Sequence, residues 1–123
     1  MSGGAIDRDA FERLVEMTGG ELEFVDELVD TYLEDGEQQV ALLRDAAAGG
    51  GGAEALVRPA HSLKSSSINV GALPLGELCR QLEASARGGE VSHPAEWVDR
   101  IASGFDDARR ELLEERASRA PSG

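Results

Sequence analysis

Hydrophobic residues recur at intervals of three and four along most of the chain, a spacing that predicts amphipathic helices and not strands. The longest stripe lies in residues 21–48 and consists of Leu22, Val25, Leu28, Val29, Tyr32, Leu33, Val40 and Leu43. A second stripe, in residues 74–87, consists of Leu75, Leu78, Cys79, Leu82 and Ala86. A third, in residues 94–116, consists of Val98, Ile101, Phe105, Ala108 and Leu112. Each stripe can cover one side of a common core, so the pattern predicts an all-α protein.

Residues that start and stop helices divide this pattern into five segments. Asp7 is a predicted N-cap, and Gly71 is predicted to close the helix that precedes it. Gly49–Gly52 are predicted to form a flexible connector, because each glycine inside a helix costs about 1 kcal/mol. The predicted helices cover residues 7–17, 21–48, 53–70, 74–87 and 94–116, and residues 118–123 are predicted to be a flexible tail. One short and four longer helices with short connections favour an antiparallel up-down four-helix bundle with an additional N-terminal helix, in a single domain over residues 1–123.

Acidic residues outnumber basic residues by two to one. The chain of 123 residues has 24 aspartate and glutamate residues and 12 lysine and arginine residues, which gives a net charge of −12. Such a surface repels the phosphates of nucleic acids and of anionic lipids. The single cysteine, Cys79, cannot form an internal disulfide, and there is neither a signal peptide nor an apolar run of about 18 residues. We therefore expect a cytoplasmic monomer that binds neither nucleic acid nor membranes.

His61 stands apart from the buried face of its predicted helix. At about 100° per residue, it lies about 160° from Leu63, which we place at the centre of that face. The residues within about 60° of Leu63 are Leu56, Ala60, Ser67 and Val70. The neighbours of His61 on the outer face are Val57, Arg58, Lys64, Ser65 and Ile68. An exposed imidazole among basic and apolar side chains predicts a surface that binds a partner.

The surroundings of His61 also suit phosphoryl chemistry. A neutral imidazole is a good nucleophile, and a cation one helical turn away would neutralise a phosphoryl group attached to it. Lys64 is placed for that role, three residues after His61. The hydroxyls of Ser65 and Ser66 are further hydrogen-bond donors. The alternative is that His61 is an ordinary surface histidine without a chemical role.

Two segments of the sequence resemble a known family. Residues 60–72, AHSLKSSSINVGA, resemble the signature of histidine-containing phosphotransfer (HPt) domains, and residues 78–88, LCRQLEASARG, resemble the following helix of that family. The order of helices between about Ile6 and Leu113 also matches. The resemblance implies that His61 accepts a phosphoryl group from one aspartyl phosphate and passes it to another aspartate. Both aspartates would lie on receiver domains, of response regulators or of a hybrid histidine kinase.

The resemblance also implies roles for residues around His61. Lys64 would hold the phosphoryl oxygens, and Glu83 would hydrogen-bond the imidazole and orient it. Glu83 lies at the edge of its buried stripe, so the alternative is a surface ion pair between Glu83 and Arg87, which would contribute about 0.3–0.5 kcal/mol. The docking surface for a partner would comprise Val57, Arg58, Ser65, Ile68 and Arg87.

Ser65 departs from the family pattern, which has glycine directly after the lysine. It lies about 40° from His61 on the helical wheel, where a side chain would crowd an approaching receiver domain. Two functions are therefore compatible with the sequence: a phosphoryl carrier, or an HPt-like helical adaptor that binds a receiver or kinase domain without transfer. A structural bundle that dimerises through an apolar stripe is a more distant third.

The sequence contains no recognisable nucleotide or metal motif. It lacks the Gly-rich loop of kinases, so we expect a phosphoryl carrier that is neither an enzyme nor an autonomous kinase. Glu90 and His93 have the Glu-x-x-His spacing of di-iron bundles, but they lie between Gly89 and Pro94, where a turn is predicted. We expect no metal and no cofactor on this chain. The resemblance implies that Mg²⁺ is held by the partner receiver domain.

Overall fold

The computed structural model describes residues 4–49 and 52–119 and consists of five helices. Helix α1 is Arg8–Met17, α2 is Leu22–Gly49, α3 is Glu54–Asn69, α4 is Leu73–Arg87 and α5 is Pro94–Arg119. Every regular element within the described ranges is an α-helix, which confirms the predicted all-α fold class. In those ranges, no helix is both long enough and apolar enough to cross a lipid bilayer.

Helices α2 to α5 form the bundle, and each packs against its neighbour in the sequence. Helix α3 lies against α2 and α4, and α5 closes the ring by packing against both α4 and α2. The apolar stripes point inward, and their most completely buried members include Val29, Leu43, Leu63, Leu82, Ile101 and Leu112. Removing such side chains from water stabilises the fold by about 1.5–3 kcal/mol each.

Helix α2 approaches α5 and α3 closely near its middle. A Cβ atom on Gly36 would overlap the ring of Phe105, so glycine is required at this position. The Phe105 ring also packs on Tyr32, with 5.7 Å between the ring centroids. Burial raises the pKa of Tyr32, and its hydroxyl forms a buried hydrogen bond of 2.8 Å with Ser67. This bond fixes the inner side of α3, the helix that carries His61.

The segment that precedes α1 is held by α5 and by the turn between α3 and α4. The buried carboxylate of Glu111 accepts hydrogen bonds from the backbone N–H groups of Ala5 and Ile6, at 3.0 Å each. The N–H of Asp7 donates to the carbonyl of Gly71 at 2.7 Å, and the Asp7 side chain caps α1 as predicted. Gly71 has a φ of 88°, a conformation that favours glycine. Together these bonds anchor α1 beside the end of α3.

Helix α5 is longer than the sequence predicts. It ends at Arg119 and not near residue 116, so residues 118 and 119 of the expected tail are helical, and residues 120–123 lie outside the described ranges. The polar residues that indicated an end make ion pairs with other helices. Arg116 lies 2.6 Å from Asp30 of α2, and Arg8 of α1 lies 2.9 Å from Glu115. Each of these polar side chains in the last turns of α5 therefore has an ion-pair partner on another helix.

Smaller differences concern α2 and the remaining helix ends. Helix α2 runs through Gly49, so the first glycine of the expected connector is helical, and Gly50 and Gly51 lie outside the described ranges. Leu28, which we placed in the buried stripe, is 39% exposed and lies with Met17 and Phe24 at an outer edge of the bundle. The other ends differ from the predicted bounds by no more than one residue, because cap residues are only partly helical.

Candidate functional site

Helix α3 presents His61 on its outer face. Ala60 and Leu63, close to it in the sequence, are fully buried, whereas 52% of the His61 side chain is exposed. This is the orientation that the helical wheel predicts. Successive residues of an α-helix are rotated by about 100° about its axis, so His61 points away from the face that carries Leu63. The imidazole is therefore accessible to a second protein.

Helix α4 places Glu83 beside this imidazole. Nδ1 of His61 and Oε2 of Glu83 are 3.0 Å apart. Gly76 of α4 lies beneath Ile68 of α3 near this contact, and a Cβ on Gly76 would lie 2.8 Å from Cγ1 of Ile68, so the isoleucine side chain would have to move. Only 6% of the Glu83 side chain is exposed. The structure thus brings together the histidine and the carboxylate that the sequence singles out, and it places the carboxylate beneath the surface.

Two cations complete the surroundings of this carboxylate. Nζ of Lys64 lies 2.7 Å from Oε1, and Arg87 contacts Oε2 through Nη2 at 2.8 Å and through Nε at 2.9 Å. Contact with Lys64 lowers the pKa of Glu83 to about 2, and Arg87 and His61 act in the same direction, although burial opposes them. Glu83 is therefore ionised at neutral pH. We call His61, Lys64, Glu83 and Arg87 the Glu83 cluster.

The ionised carboxylate determines which nitrogen of His61 carries the proton. A carboxylate without a proton can only accept hydrogen bonds, so Nδ1 of His61 must be the donor to Oε2. In a neutral imidazole the other nitrogen, Nε2, then bears the lone pair. The Glu83 cluster therefore holds a half-exposed imidazole with its nucleophilic nitrogen free of this hydrogen bond.

Comparisons with known proteins identify the family to which this arrangement belongs. The family model described as Hpt domain matches residues 27–117, which is most of the chain. The chain belongs to the Hpt domain family. Proteins of this family are phosphocarriers of phosphorelays rather than autonomous kinases, and they interact with receiver domains and kinases. The family resemblance noted in the sequence is thereby confirmed.

A solved structure supports the same assignment. The crystal structure of histidine-containing phosphotransfer protein B (HptB) from Pseudomonas aeruginosa PAO1 is similar to this Hpt domain, with a TM-score of 0.84 and 32% sequence identity. The match covers 95% of this chain and 98% of that chain. A comparison with curated protein sequences gives no significant match. The shared fold agrees with the bundle that the sequence predicts.

The other residues that we expect at the docking surface of this Hpt domain flank the Glu83 cluster. Those that are exposed or half-buried along α3 are Val57, Arg58, Ser65 and Ile68. Arg87 lies on α4 and is 59% exposed, although its guanidinium contacts Glu83. The ion pair between Glu83 and Arg87 that the sequence offered as an alternative thus exists together with the contact between Glu83 and His61.

The ion pair between Lys64 and Glu83 is absent from the sequence prediction. The sequence predicts a lysine available to phosphoryl oxygens, whereas the side chain of Lys64 is only 23% exposed and its ammonium contacts the carboxylate. Lys64 is also the only lysine in the sequence. One signal was available: a glutamate at the edge of a buried stripe needs cations nearby, because burying an unpaired charge is costly.

Other candidates from the sequence have structural roles. Cys79 is buried in the core, and burial raises the pKa of its thiol to about 12, so it is unreactive. His93 lies in the turn before α5, where its carbonyl accepts hydrogen bonds from the N–H groups of Glu96 and Trp97. In the part of the chain that the structure describes, no group of three or more histidine, cysteine, aspartate or glutamate residues is arranged to hold a metal ion.

Proposed function

We propose that this Hpt domain carries a phosphoryl group on Nε2 of His61 between aspartates of receiver domains. The observation that supports this proposal best is the hydrogen bond of 3.0 Å between Nδ1 and the buried carboxylate of Glu83. It holds the ring on the surface in the tautomer that leaves a lone pair on Nε2. An ordinary surface histidine has no such restraint.

The transfer step is a displacement at phosphorus. The lone pair of Nε2 forms the new P–N bond while the P–O bond to the donor aspartate breaks, and the electron pair of that bond leaves with the aspartate carboxylate. Nδ1 keeps its proton throughout, so the phosphorylated ring is an imidazolium beside the Glu83 anion. Transfer to a second receiver reverses these steps. Because the transition state is loose, positioning and charge neutralisation are the main tasks of the protein.

Lys64 has two possible anionic partners in this scheme. In the unphosphorylated protein its ammonium lies 2.7 Å from Oε1 of Glu83. When a phosphoryl group is present one helical turn away, Lys64 can move to the phosphoryl oxygens, while Arg87 keeps its contact with Oε2. Loss of the lysine contact strengthens the interaction of Glu83 with the protonated Nδ1. We expect Mg²⁺ to be held by the receiver domain and not by this chain.

Labelling by phosphorylated receiver domains tests the proposal. Wild-type protein, His61→Gln and His93→Asn are each mixed with a panel of receivers that carry labelled phosphate, and acid-labile label on the chain is measured. His93, the other of the two histidines in the sequence, is a matched control, and asparagine tolerates its φ of 54°. We expect label on wild type and His93→Asn and none on His61→Gln. Label that persists on His61→Gln would disprove the role of His61.

The adaptor without chemistry is the second candidate, and Ser65 is the observation that favours it. This serine is exposed on the face that carries His61, where the family has glycine. If a receiver binds the folded wild-type protein without labelling it, and Ser65→Gly becomes labelled, the natural protein is an adaptor. If wild type is labelled, Ser65 only adjusts the transfer rate.

A further inference from the structure

A groove extends from the Glu83 cluster along the first turns of α3 and the last turn of α4. It is lined by Gly52–Glu54, Val57, Arg58, Ala86, Arg87 and Gly89. Val57 and Arg58 precede His61 by four and three residues, so they lie on the same face of α3 as the imidazole. Arg87 contacts Glu83 on one side and the groove on the other. A protein that covers His61 therefore also reaches this groove.

The floor of the groove is small and apolar, and its charged groups are mostly cationic. Glu54 is the one acidic residue that lines it, against two arginines. Within residues 4–49 and 52–119, the exposed guanidinium of Arg58 has no carboxylate partner, whereas Arg44, Arg80, Arg109 and Arg116 each have one. Within the same ranges, the exposed Arg13 and Arg100 also lack a carboxylate partner, so Arg58 is distinguished by its position in the groove and not by the missing partner.

The distribution of charge singles out the same side of the bundle. Residues 54–87, which contain α3 and α4, have four basic and three acidic residues, whereas residues 22–49 of α2 have one basic and eight acidic residues. Glu83, one of the three acids, is buried between Lys64 and Arg87, and the net charge of residues 54–87 is +1. The side that carries His61 is therefore the cationic region of an acidic protein. It attracts an acidic surface, while the remaining surface repels it.

We propose that the groove binds an acidic segment of the receiver domain that exchanges phosphate with His61. Arg58 and the outer side of Arg87 contact its carboxylates, and Ala53 and Val57 contact the small or aliphatic side chains between them. The inference rests on the proposed function, since the occupant belongs to the same partner. It adds a second contact area, which determines how tightly and in which orientation the receiver binds.

Charge reversal at Arg58 tests the groove, with Arg13 as the matched control. Arg13 is also an exposed arginine without a carboxylate partner in the described ranges, but it lies on α1, outside the groove. For transfer from a receiver, we expect Arg58→Glu to raise KM about tenfold with kcat nearly unchanged, and Arg13→Glu to change KM less than about twofold. Glu54→Gln removes the acid from the groove, and we expect it to lower KM about twofold. Arg58→Glu and Glu54→Gln should change KM in opposite directions, and a general loss of structure cannot produce that result.

Ionic strength and a small phosphoryl donor separate docking from chemistry. Between about 50 and 300 mM NaCl, kcat/KM of the wild type should fall more steeply than that of Arg58→Glu, because salt screens the contacts that the variant lacks. Phosphoramidate, which does not need the groove, should label wild type and Arg58→Glu equally. Unequal labelling would mean that Arg58→Glu damages the histidine site itself, which contradicts a docking role.

The two proposals fail in different ways. If wild type is labelled by receivers and the KM of Arg58→Glu equals that of wild type at both low and high salt, the groove is not used and only the second inference is overturned. If no receiver labels wild type although phosphoramidate does, the carrier function itself is wrong, and the inference about the groove falls with it.

Discussion

Glu83 and Glu111 are the carboxylates that the described part of the bundle buries, with 4% and 6% of each residue exposed. Their partners differ in kind. Glu111 accepts from two backbone N–H groups of the N-terminal segment, which can leave only if that segment detaches. Glu83 contacts three side chains, of His61, Lys64 and Arg87, all of which can rotate away. A buried carboxylate with backbone partners fixes the fold, whereas a buried carboxylate with side-chain partners can change those partners when His61 is phosphorylated.

The largest effect that this comparison predicts follows from Glu83→Gln. The variant keeps the shape of the side chain but loses the charge that fixes the tautomer of His61 and stabilises its imidazolium. We expect transfer from a receiver to slow about 100-fold, as for the loss of one strong electrostatic contact at a reacting group. The free energy of unfolding should fall by only about 1 kcal/mol, because Lys64 and Arg87 can turn to water.

Single-turnover kinetics measures the rate, and ¹⁵N chemical shifts of the imidazole measure the tautomer. The wild type should show the proton on Nδ1, and the variant a mixture of both tautomers. A rate within about threefold of the wild type would mean that Glu83 is as purely structural as Glu111.

For Glu111→Gln we expect the reverse of Glu83→Gln, namely a larger loss of stability without a loss of transfer. An amide offers one acceptor oxygen to two backbone donors, so a buried N–H loses its charged partner. We expect the free energy of unfolding to fall by about 2 kcal/mol, as measured by urea denaturation. Transfer by the folded protein should remain at the wild-type rate. A loss of transfer comparable to that of Glu83→Gln would remove the distinction between the two carboxylates.

The smallest expected effect is a dependence of stability on pH that comes from Glu83. Its pKa of about 2 in the folded protein lies below the ordinary value of 4.5. This carboxylate therefore contributes stability that is complete above about pH 5 and is lost progressively as the pH falls towards 2. Urea denaturation of wild type and Glu83→Gln between pH 7 and pH 3 measures this contribution. The difference in the free energy of unfolding between the two proteins should shrink as the pH falls. A difference that stays constant would contradict a contribution from the ionised Glu83.

The sequence predicts the helices and the exposure of His61 well because both depend on the local period of an α-helix. The contact between Glu83 and Arg87 follows from the same period, since the two residues are separated by one turn. The contacts of Glu83 with His61 and Lys64 depend on how closely α4 approaches α3, at a place where Gly76 packs beneath Ile68. No local sequence pattern predicts the distance between α3 and α4.

The predicted end of α5, near residue 116, is wrong for a related reason, since the helix continues to Arg119. Polar residues after position 114 indicate the end of a helix if water is their only partner. In the bundle, Arg116 reaches Asp30 of α2 and Glu115 is reached by Arg8 of α1. The partners of these residues are distant in the sequence, so only the packed structure shows why the helix continues.

The pairing of the single lysine with Glu83 has a practical consequence. Amine-selective reagents modify only free amines, and apart from the N-terminus this chain has one, on Lys64. In the unphosphorylated protein that amine is largely covered and bound to a carboxylate, so its modification should be slow. A peptide mass spectrum would then report, from the extent of modification of one residue, how often the lysine leaves Glu83, without an engineered probe.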